Sequence, residues 1–316
     1  MILQCPFCHN TDFTRNNDFC KCNNCLEKFT IENNIVQMFT EDNAYTNDVK
    51  SFYEETPFPK YNDIDTIQRL IKRAEEGNFV FNLNEQLESG INILEAGCGT
   101  GQMSIYLSLN NRNVYATDMS LSSLKLASEF SNKHHINNIS FYQMNIFNPI
   151  FKNESFDVLI SNGVLHHTHD TYEAFKSLLP LVKKDGYIII GLYHKYGRIW
   201  TDIRRHIFNL TGNKFRFLDE VYRDKNISDE KKESWFNDQY KHKHERKHTI
   251  LEVMKWFENN NCQVLNVLPN PTFSETNNSL FYPRKYNTYE VFINELLMTF
   301  SNTKEGGFFT IIGKKN

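Results

Sequence analysis

The sequence lacks the features that would send a protein into or across a membrane. It contains no apolar run of about 18 residues, the length at which a membrane-spanning helix is suspected. Its N-terminus has no basic stretch followed by an apolar one, as a secretory signal peptide would. The sequence therefore predicts a cytoplasmic protein without a membrane partner. Its 40% hydrophobic content suffices for one sizeable core and smaller modules.

A large excess of charge of one sign is also missing. The net charge of the 316 residues is −3 at pH 7. Such a near-neutral balance indicates neither a nucleic-acid-binding protein nor one with a long acidic tail. The overall composition is that of a large globular enzyme.

Cysteine is scarce, and its distribution is uneven. Five of the seven cysteines lie in the first 25 residues, which without an export signal indicates metal binding rather than disulfides. Cys5 and Cys8 form one C-x₂-C pair, and Cys22 and Cys25 form a second after 13 intervening residues. Two such pairs close a tetrahedron around Zn²⁺. Because four thiolates fill the shell, we expect a structural zinc ion.

Two further residues are alternative ligands, and a hairpin follows the cysteines. Cys20 is either a buried small residue or a substitute for Cys22, and His9 is another possible ligand. The alternating segment 29–36 predicts a hairpin with an Asn-Asn turn. Residues 1–40 are thus predicted to form a small zinc-ribbon module.

The most informative stretch is a glycine-rich turn. The apolar run 91–96 predicts a buried strand, and 103–109 predicts the helix that follows. Glycine allows the backbone to approach a ligand because it has no Cβ and tolerates positive φ. A dinucleotide-binding G-x-G-x-x-G turn would need glycine at position 102, which is Gln102. Three glycines spaced two apart occupy the turn instead: Gly97, Gly99 and Gly101.

A carboxylate ends the second predicted strand. Residues 113–117 form this strand, and Asp118 and Met119 follow it. An ionised carboxylate can accept two hydrogen bonds from a ribose diol, and an apolar neighbour can lie against an adenine ring. The alternative is that Asp118 caps the predicted helix 121–133.

Histidines cluster after the fourth predicted strand. The strand begins at Phe156, and His166, His167 and His169 follow it, where open α/β sheets bind ligands. Histidine readily accepts a proton near neutral pH. We expect His167 to act as a general base, with His166 behind it. Alternatively the two only shape a cofactor pocket, or the three histidines bind a metal.

These motifs together resemble those of class I S-adenosylmethionine (SAM)-dependent methyltransferases, especially the small-molecule branch. The resemblance rests on the glycine turn with Glu95 before it, on Asp118, and on the Val-Leu-His-His stretch at 164–167. It implies an α/β fold with a Rossmann-like sheet of seven strands, the last antiparallel, and helices on both faces. It also implies SAM as cofactor.

The resemblance assigns cofactor-binding residues one by one. Asn145, which follows the third predicted strand 139–144, matches the position that reads the adenine amino group. The full set of expected cofactor-binding residues is Glu95, Gly97, Cys98, Gly99, Gly101, Asp118, Met119, Asn145, Ile146 and Asn162.

Residues 1–40 resemble the zinc ribbons fused to many bacterial methyltransferases, including an uncharacterised branch. Residues 41–90 are predicted to hold N-terminal helices, one of them at 64–76, and an aromatic-proline segment at 51–61. This segment is expected to be a lid or, alternatively, a linker packed by its aromatic side chains. The methyltransferase core is expected at 91–194 and 248–316.

The remaining elements of the core follow from the same patterns. Residues 183–186 predict a turn before the fifth strand, 187–192. A helix at 249–259 and strands at 262–268 and 308–313 complete the fold.

Two insertions interrupt this core, at 195–247 and at about 270–306. Isoleucines at 199, 203 and 207 predict a helix in the first, which we expect to roof the acceptor site as a helical cap. The first insertion has 14 Lys and Arg against 9 Asp and Glu. This favours an anionic acceptor, with RNA or a merely exposed helical surface as alternatives. His242, His244 and His248 form a further candidate metal site.

The sequence thus predicts methyl transfer from SAM to an oxygen or nitrogen of a small or carrier-bound anionic metabolite. One alternative is an RNA base methyltransferase whose zinc ribbon binds rRNA or tRNA. Another is a non-catalytic SAM-binding regulatory protein.

Overall fold

The structure is a computed structural model. It describes residues 2–59, 61, 66–225, 227–241, 245–272, 279–300 and 307–316, without the side chains at 230 and 231. Within these ranges no helix has both the length and the apolar character needed to cross a membrane.

The described residues form one sheet of eleven strands. The strands are β1 (Phe13–Arg15), β2 (Phe19–Cys22), β3 (Lys28–Glu32), β4 (Ile35–Gln37), β5 (Asn92–Ala96), β6 (Asn113–Asp118), β7 (Ile139–Gln143), β8 (Phe156–Asn162), β9 (Val182–Tyr193), β10 (Cys262–Leu268) and β11 (Phe308–Lys315). Their order across the sheet is β1-β2-β3-β4-β7-β6-β5-β8-β9-β11-β10.

Seven of these strands form the core sheet expected for residues 91–194 and 248–316. Strands β7, β6, β5, β8 and β9 run parallel, and β11 is antiparallel to both of its neighbours, β9 and β10. The predicted antiparallel last strand is therefore confirmed. The reversal of strand order between β5 and β8 opens a crevice at the carboxyl ends of the strands, where such sheets bind ligands.

The N-terminal module extends this sheet. Strand β4 pairs in parallel with β7, Ile35 opposite Phe141, and so covers an edge whose backbone groups would otherwise lack partners. Strands β3 and β4 form the predicted hairpin, with Asn33 (φ 52°) and Asn34 (φ 63°) in its turn. The expected count of seven strands is wrong for the whole sheet because the module adds four.

Helices cover both faces of the core strands. Leu94, Leu159 and Ile160 are buried, as expected for parallel strands packed on both sides. The helices are α1 (Ala44–Glu55), α2 (Ile67–Glu76), α3 (Phe79–Gln86), α4 (Gln102–Ser108), α5 (Leu121–Lys133), α6 (Thr171–Leu178), α7 (Ile199–Leu210), α8 (Glu220–Arg223), α9 (Asp229–Phe236), α10 (Ile250–Asn259) and α11 (Thr288–Leu297).

Strand β9 is longer than expected. The turn predicted at 183–186 lies inside this strand, because Val182 pairs with Phe156 and the Lys183 ammonium contacts the Asp157 carboxylate at 2.8 Å. Asp185 adopts a left-handed φ of 64° within it. The polar residues therefore mark an irregularity in β9 and not its start.

The first insertion, residues 195–247, contains helices α7, α8 and α9, followed by a π-helical turn at Asn237–Lys241. We call it the cap insertion. The helix predicted from its isoleucine spacing is confirmed as α7. Phe208, Phe236 and Tyr240 form a small buried core of its own. The second insertion contains α11, and its residues 273–278 and 301–306 lie outside the described residues.

Candidate active site

A cavity of about 430 Å³ opens at the carboxyl ends of β5, β6 and β8. Helices α1 and α2 and Asp238 of the cap insertion contribute to its lining. It brings together most of the residues predicted to form the site. Those that line it are Glu95, Gly97, Cys98, Gly99, Asp118, Met119, Ile146, Asn162 and His167.

The glycine turn after β5 forms the floor of this cavity. Gly97 (φ 83°) and Gly99 (φ 52°) adopt the left-handed backbone conformation. A Cβ at position 97 would lie 2.4 Å from the Val164 side chain, and one at position 99 would lie 2.3 Å from the Phe58 carbonyl oxygen. The turn therefore requires glycine for both its backbone and its surroundings.

Asp118 at the end of β6 is tied to this turn. Its carboxylate accepts hydrogen bonds from the Gly99 and Ser120 backbone N–H groups, both at 2.8 Å. The helix α5 is instead capped by the Ser120 side chain, which accepts from Ser123 N–H. Desolvation raises the pKa of Asp118 to about 6, although the two N–H groups oppose this shift. The Asp118 carboxylate, which when ionised can accept but not donate hydrogen bonds, thus lines the cavity beside the glycine turn.

Glu95 is a second carboxyl group at the same end. It is buried on β5 and accepts a hydrogen bond from the Ser104 hydroxyl of α4. Burial, with a contribution from the negative Asp118, raises the pKa of Glu95 to about 8. The two carboxyl groups are suited to a ligand that brings hydroxyl donors or a positive charge.

Three of the predicted site residues do not line the cavity. Gly101 is the N-cap residue of α4, and a Cβ there would lie 2.8 Å from Ala127 Cβ. Asn145 donates to the Thr40 carbonyl and accepts from Phe147 N–H, so its side chain joins the N-terminal module to the core. Its predicted contact with adenine remains a prediction.

His166 is the third of these residues. Its ring is buried between His167 and Tyr193, with ring centroids 4.2 Å from each. Its backbone carbonyl accepts from Arg246 N–H at 2.8 Å. His166 therefore supports the wall of the cavity from behind.

The segment after α1 crosses the glycine turn. The Thr100 hydroxyl donates to the Pro59 carbonyl at 2.6 Å, and the Tyr61 hydroxyl donates to the Thr100 carbonyl at 2.7 Å. Glu54, near the end of α1, accepts from Leu121 and Ser122 N–H at the start of α5. The segment expected to be a lid thus lies over the cavity and is fixed at both ends.

A second group of side chains lies at the cap side of the cavity. Tyr53 of α1, His167 after β8, Tyr193 of β9 and Asp238 of the cap insertion all line it. The His167 ring centroid is 6.1 Å from that of Tyr53 and 6.2 Å from that of Tyr193. Burial raises the pKa of Asp238, and the nearby His167 and Arg198 oppose this shift.

The basic residues of the cap insertion bind to groups within it. Arg198 and Arg205 contact the Glu245 carboxylate at 2.7 and 2.9 Å, and Arg204 donates to the Tyr240 hydroxyl at 3.0 Å. None of these three arginines lines the described cavity. These three arginines, which contribute to the positive charge behind the expectation of an anionic acceptor, are thus engaged within the insertion and do not face the cavity.

The four predicted zinc ligands converge in the N-terminal module. The thiol sulfurs of Cys5, Cys8, Cys22 and Cys25 lie within 4.8 Å of one another, with Cys5–Cys25 at 3.6 Å and Cys8–Cys22 at 3.5 Å. Tetrahedral Zn–S bonds of about 2.3 Å place sulfur atoms about 3.8 Å apart. The arrangement therefore fits a Zn²⁺ ion.

The other candidate metal ligands are not part of this group. Cys20 is buried outside the cluster, and His9 Nδ1 is hydrogen-bonded to Gln4 Nε2 at 2.8 Å. His242 and His244 lie outside the described residues. Among the residues that are described, the histidines of 166–169 do not bring ligand atoms together as the four cysteines do.

Several residues of the cavity were not predicted from the sequence. Tyr53, Phe58 and Pro59 belong to the segment expected to be a lid, so their position had a sequence signal. Tyr193 is the last residue of β9. The sequence predicted this strand, but it did not predict that the Tyr193 side chain would line the cavity. Asp238 had no local signal, since it is one of nine acidic residues in the cap insertion.

The fold and the cavity are those of a class I SAM-dependent methyltransferase domain. A family model described as a methyltransferase domain matches residues 87–261, which is more than half of the chain. The chain therefore belongs to this family of methyltransferase domains.

Individual relatives are distant. The uncharacterized methyltransferase YcgJ of Bacillus subtilis is 21% identical over 157 residues, 49% of this chain and 62% of that protein. The release factor glutamine methyltransferase of Fusobacterium nucleatum is 33% identical over 94 residues, 29% of this chain and 25% of that enzyme. The chain thus spans less than two thirds of the length of either relative.

A solved structure has the same fold. The magnesium protoporphyrin IX methyltransferase ChlM of Synechocystis, with bound S-adenosylhomocysteine (SAH), superposes with a TM-score of 0.52 at 14% identity. The match covers 86% of this chain and 100% of ChlM. At this identity the likeness shows the fold alone.

Proposed function

We propose that the protein transfers the methyl group of SAM to an oxygen or nitrogen atom of a small or carrier-bound acceptor. The observation that carries this proposal is a single cavity. It joins the glycine turn and Asp118, at one end, to His167 and Asp238 beneath the cap insertion, at the other.

The donor end has groups suited to each part of SAM. Asp118 offers two acceptor oxygens to a ribose diol, and Met119 and Ile146 offer apolar surface to an adenine ring. Glu95 and the Gly97 turn lie where a methionine moiety carrying an ammonium group would extend. SAM supplies a methyl group already activated on a sulfonium, so the protein has mainly to hold the reacting atoms in line.

His167 is the proposed general base for an acceptor that must lose a proton. It lines the cavity, whereas His166 packs behind it against Tyr193. A neutral imidazole accepts a proton near physiological pH, and such transfer contributes about 10²–10⁴-fold to a rate.

Two features favour a small acceptor over RNA. The proposed reaction cavity, of about 430 Å³, is lined in part by α1, α2 and Asp238 of the cap insertion. The N-terminal module, residues 1–40, has three Lys and Arg against four Asp and Glu, without the basic excess typical of RNA-binding modules.

We further propose that Cys5, Cys8, Cys22 and Cys25 bind one structural zinc ion. The ion would hold the module against the sheet edge at β7. Elemental analysis of the purified protein should find about one equivalent of zinc. Cys5→Ser should lose the metal and melt at a lower temperature, whereas Cys20→Ser should retain it because Cys20 lies outside the cluster. Retention of zinc by Cys5→Ser would contradict the assignment.

Methyl transfer itself is tested with [methyl-³H]SAM and two fractions of a cell extract, low-mass metabolites and total RNA. We expect labelled product in the metabolite fraction, with release of SAH. Label found in RNA alone would contradict the small acceptor, and SAH binding without transfer to either fraction would favour a regulatory protein.

A further inference from the structure

One acidic side chain of the cap insertion reaches the reaction cavity. Asp238 lies in the π-helical turn Asn237–Lys241 and is only 8% exposed, yet it lines the cavity together with His167. A carboxylate buried to this degree needs partners or a bound cation to offset its lost hydration.

Neighbouring side chains fix the orientation of this carboxylate. Gln239 Nε2 donates to Asp238 Oδ2 at 2.8 Å and to the Tyr193 hydroxyl at 2.7 Å. Arg198 in turn donates to Gln239 Oε1 at 2.5 Å and lies over the Tyr193 ring at 3.8 Å. The network ties the carboxylate to the end of β9 and hence to the sheet.

Tyr53 contacts both Asp238 and the donor end of the cavity. The Tyr53 carbonyl accepts from the Ser120 hydroxyl at 3.1 Å, two residues after Asp118, while the Tyr53 hydroxyl is hydrogen-bonded to Asp238. Asp238 is therefore about one tyrosine side chain away from the turn that is expected to hold the ribose.

The nearby arginines do not contact this carboxylate directly. Arg198 and Arg205 share the Glu245 carboxylate, and Arg198 reaches Asp238 only through the Gln239 side chain. Among the described residues that line the cavity, the one lysine or arginine is Arg73, on the helix α2 that packs against α4 beside the glycine turn. The cap side of the cavity is thus lined by the Asp238 carboxyl group, His167 and two tyrosines.

Methyl transfer generates positive charge on that side. The acceptor lone pair forms the new bond to the methyl carbon while the carbon–sulfur bond breaks, and its electron pair leaves on an uncharged thioether. A neutral amine acceptor thereby becomes an ammonium group. A hydroxyl acceptor passes its proton to the imidazole of His167, which becomes an imidazolium. A carboxylate held close to the reacting atoms stabilises either cation.

We propose that Asp238 selects an acceptor whose reacting end is an amine or a hydroxyl and not an anionic group, and that it stabilises the positive charge that the transfer creates there. The inference rests on the proposed methyltransferase function. It assigns to the cap insertion a role in specificity that its overall basic composition does not suggest.

The test compares two donor-site ligands by calorimetry. SAH is uncharged at sulfur, whereas sinefungin carries a protonated amine at the position of the transferred methyl group. In Asp238→Asn the dissociation constant of sinefungin should rise at least about fivefold, while that of SAH stays within about twofold.

Two further variants separate charge from folding. Asp238→Glu should recover part of the sinefungin affinity because it restores the charge. Asp229→Asn, a fully exposed position in the same insertion, should leave both affinities unchanged. An unchanged ratio of sinefungin to SAH affinity in Asp238→Asn would overturn the inference. Absence of SAH binding in the unsubstituted protein would instead overturn the proposed function.

Discussion

The two ends of the reaction cavity differ in how the chain builds them. The donor end comes from consecutive strand ends, with the Gly97 turn after β5 and Asp118 after β6. The cap end comes from residues far apart in sequence, Tyr53, Tyr193 and Asp238, which meet only in the folded chain. The donor end can therefore be recognised as a short motif, and the acceptor end cannot.

This difference has a chemical cause. The donor is the same molecule in every SAM-dependent enzyme, so its backbone and carboxylate partners keep a fixed spacing along the chain. The acceptor differs between enzymes, and the side chains proposed to face it here come from α1, from the end of β9 and from the cap insertion. The fold class can thus be predicted here from the sequence, and a donor site can be proposed, but neither predicts the acceptor.

The largest expected effect tests the donor end. Gly99→Ala places a Cβ 2.3 Å from the Phe58 carbonyl and strains a backbone with φ of 52°. We expect SAH affinity to fall by about a hundredfold, because the turn and the segment above it must both shift. Isothermal titration calorimetry measures the change.

Gly212→Ala is the matched control for backbone strain. Its φ of 60° is similar, but a Cβ there would contact nothing within 4 Å. We expect it to lower the melting temperature slightly and leave SAH affinity unchanged. Equal losses of affinity in the two variants would show that strain alone, and not the ligand site, explains the effect.

A smaller effect should follow from pH. The pKa of Asp118 is raised to about 6 and that of Glu95 to about 8, and an ionised carboxylate accepts hydrogen bonds from hydroxyl groups and attracts a cation better than a neutral carboxyl group does. SAH affinity should therefore increase as the pH rises through this range. The rise from pH 5 to 7 should be about tenfold if one proton is released at Asp118.

Asp118→Asn separates the two titrations. The variant should bind SAH more weakly and lose the inflection near pH 6, while the inflection due to Glu95 persists. Affinity that falls as the pH rises would contradict the assignment of both carboxyl groups to the donor end.

The last prediction tests the cap end. His167→Ala should slow incorporation of label from [methyl-³H]SAM at least about tenfold, because the proposed base is lost. SAH affinity should remain within about twofold, since His167 lies beyond the donor end. His206→Ala, an exposed histidine of α7, should change neither quantity. Unaltered turnover in His167→Ala would exclude it as the base.

Particular elements show which parts of the fold can be predicted from the sequence and which cannot. The hydrophobic pattern correctly predicts helix α5 and strand β10, because both follow simple periodicities. It places a turn at 183–186, inside β9, because polar residues at a strand irregularity resemble those of a loop. It also treats the zinc-ribbon module as separate, whereas β4 joins the core sheet through backbone pairing that leaves no mark on side-chain composition.

The cap insertion shows that the charge composition of a segment does not predict the kind of ligand that it contacts. Its excess of Lys and Arg suggests an anionic acceptor, but Arg198 and Arg205 share the buried carboxylate of Glu245. Among the described residues of the insertion, the one that lines the cavity is Asp238, which is acidic. Net charge counts all residues equally, whereas a binding site depends on the few that face it.

The most direct test of the account is a crystal structure of the protein with SAH bound. We expect the ribose hydroxyls to contact Asp118 and the sulfur atom to face the space between Tyr53, His167 and Asp238. An SAH molecule bound elsewhere, or one whose sulfur faces away from these three side chains, would contradict the central claim that one cavity joins the donor to its acceptor.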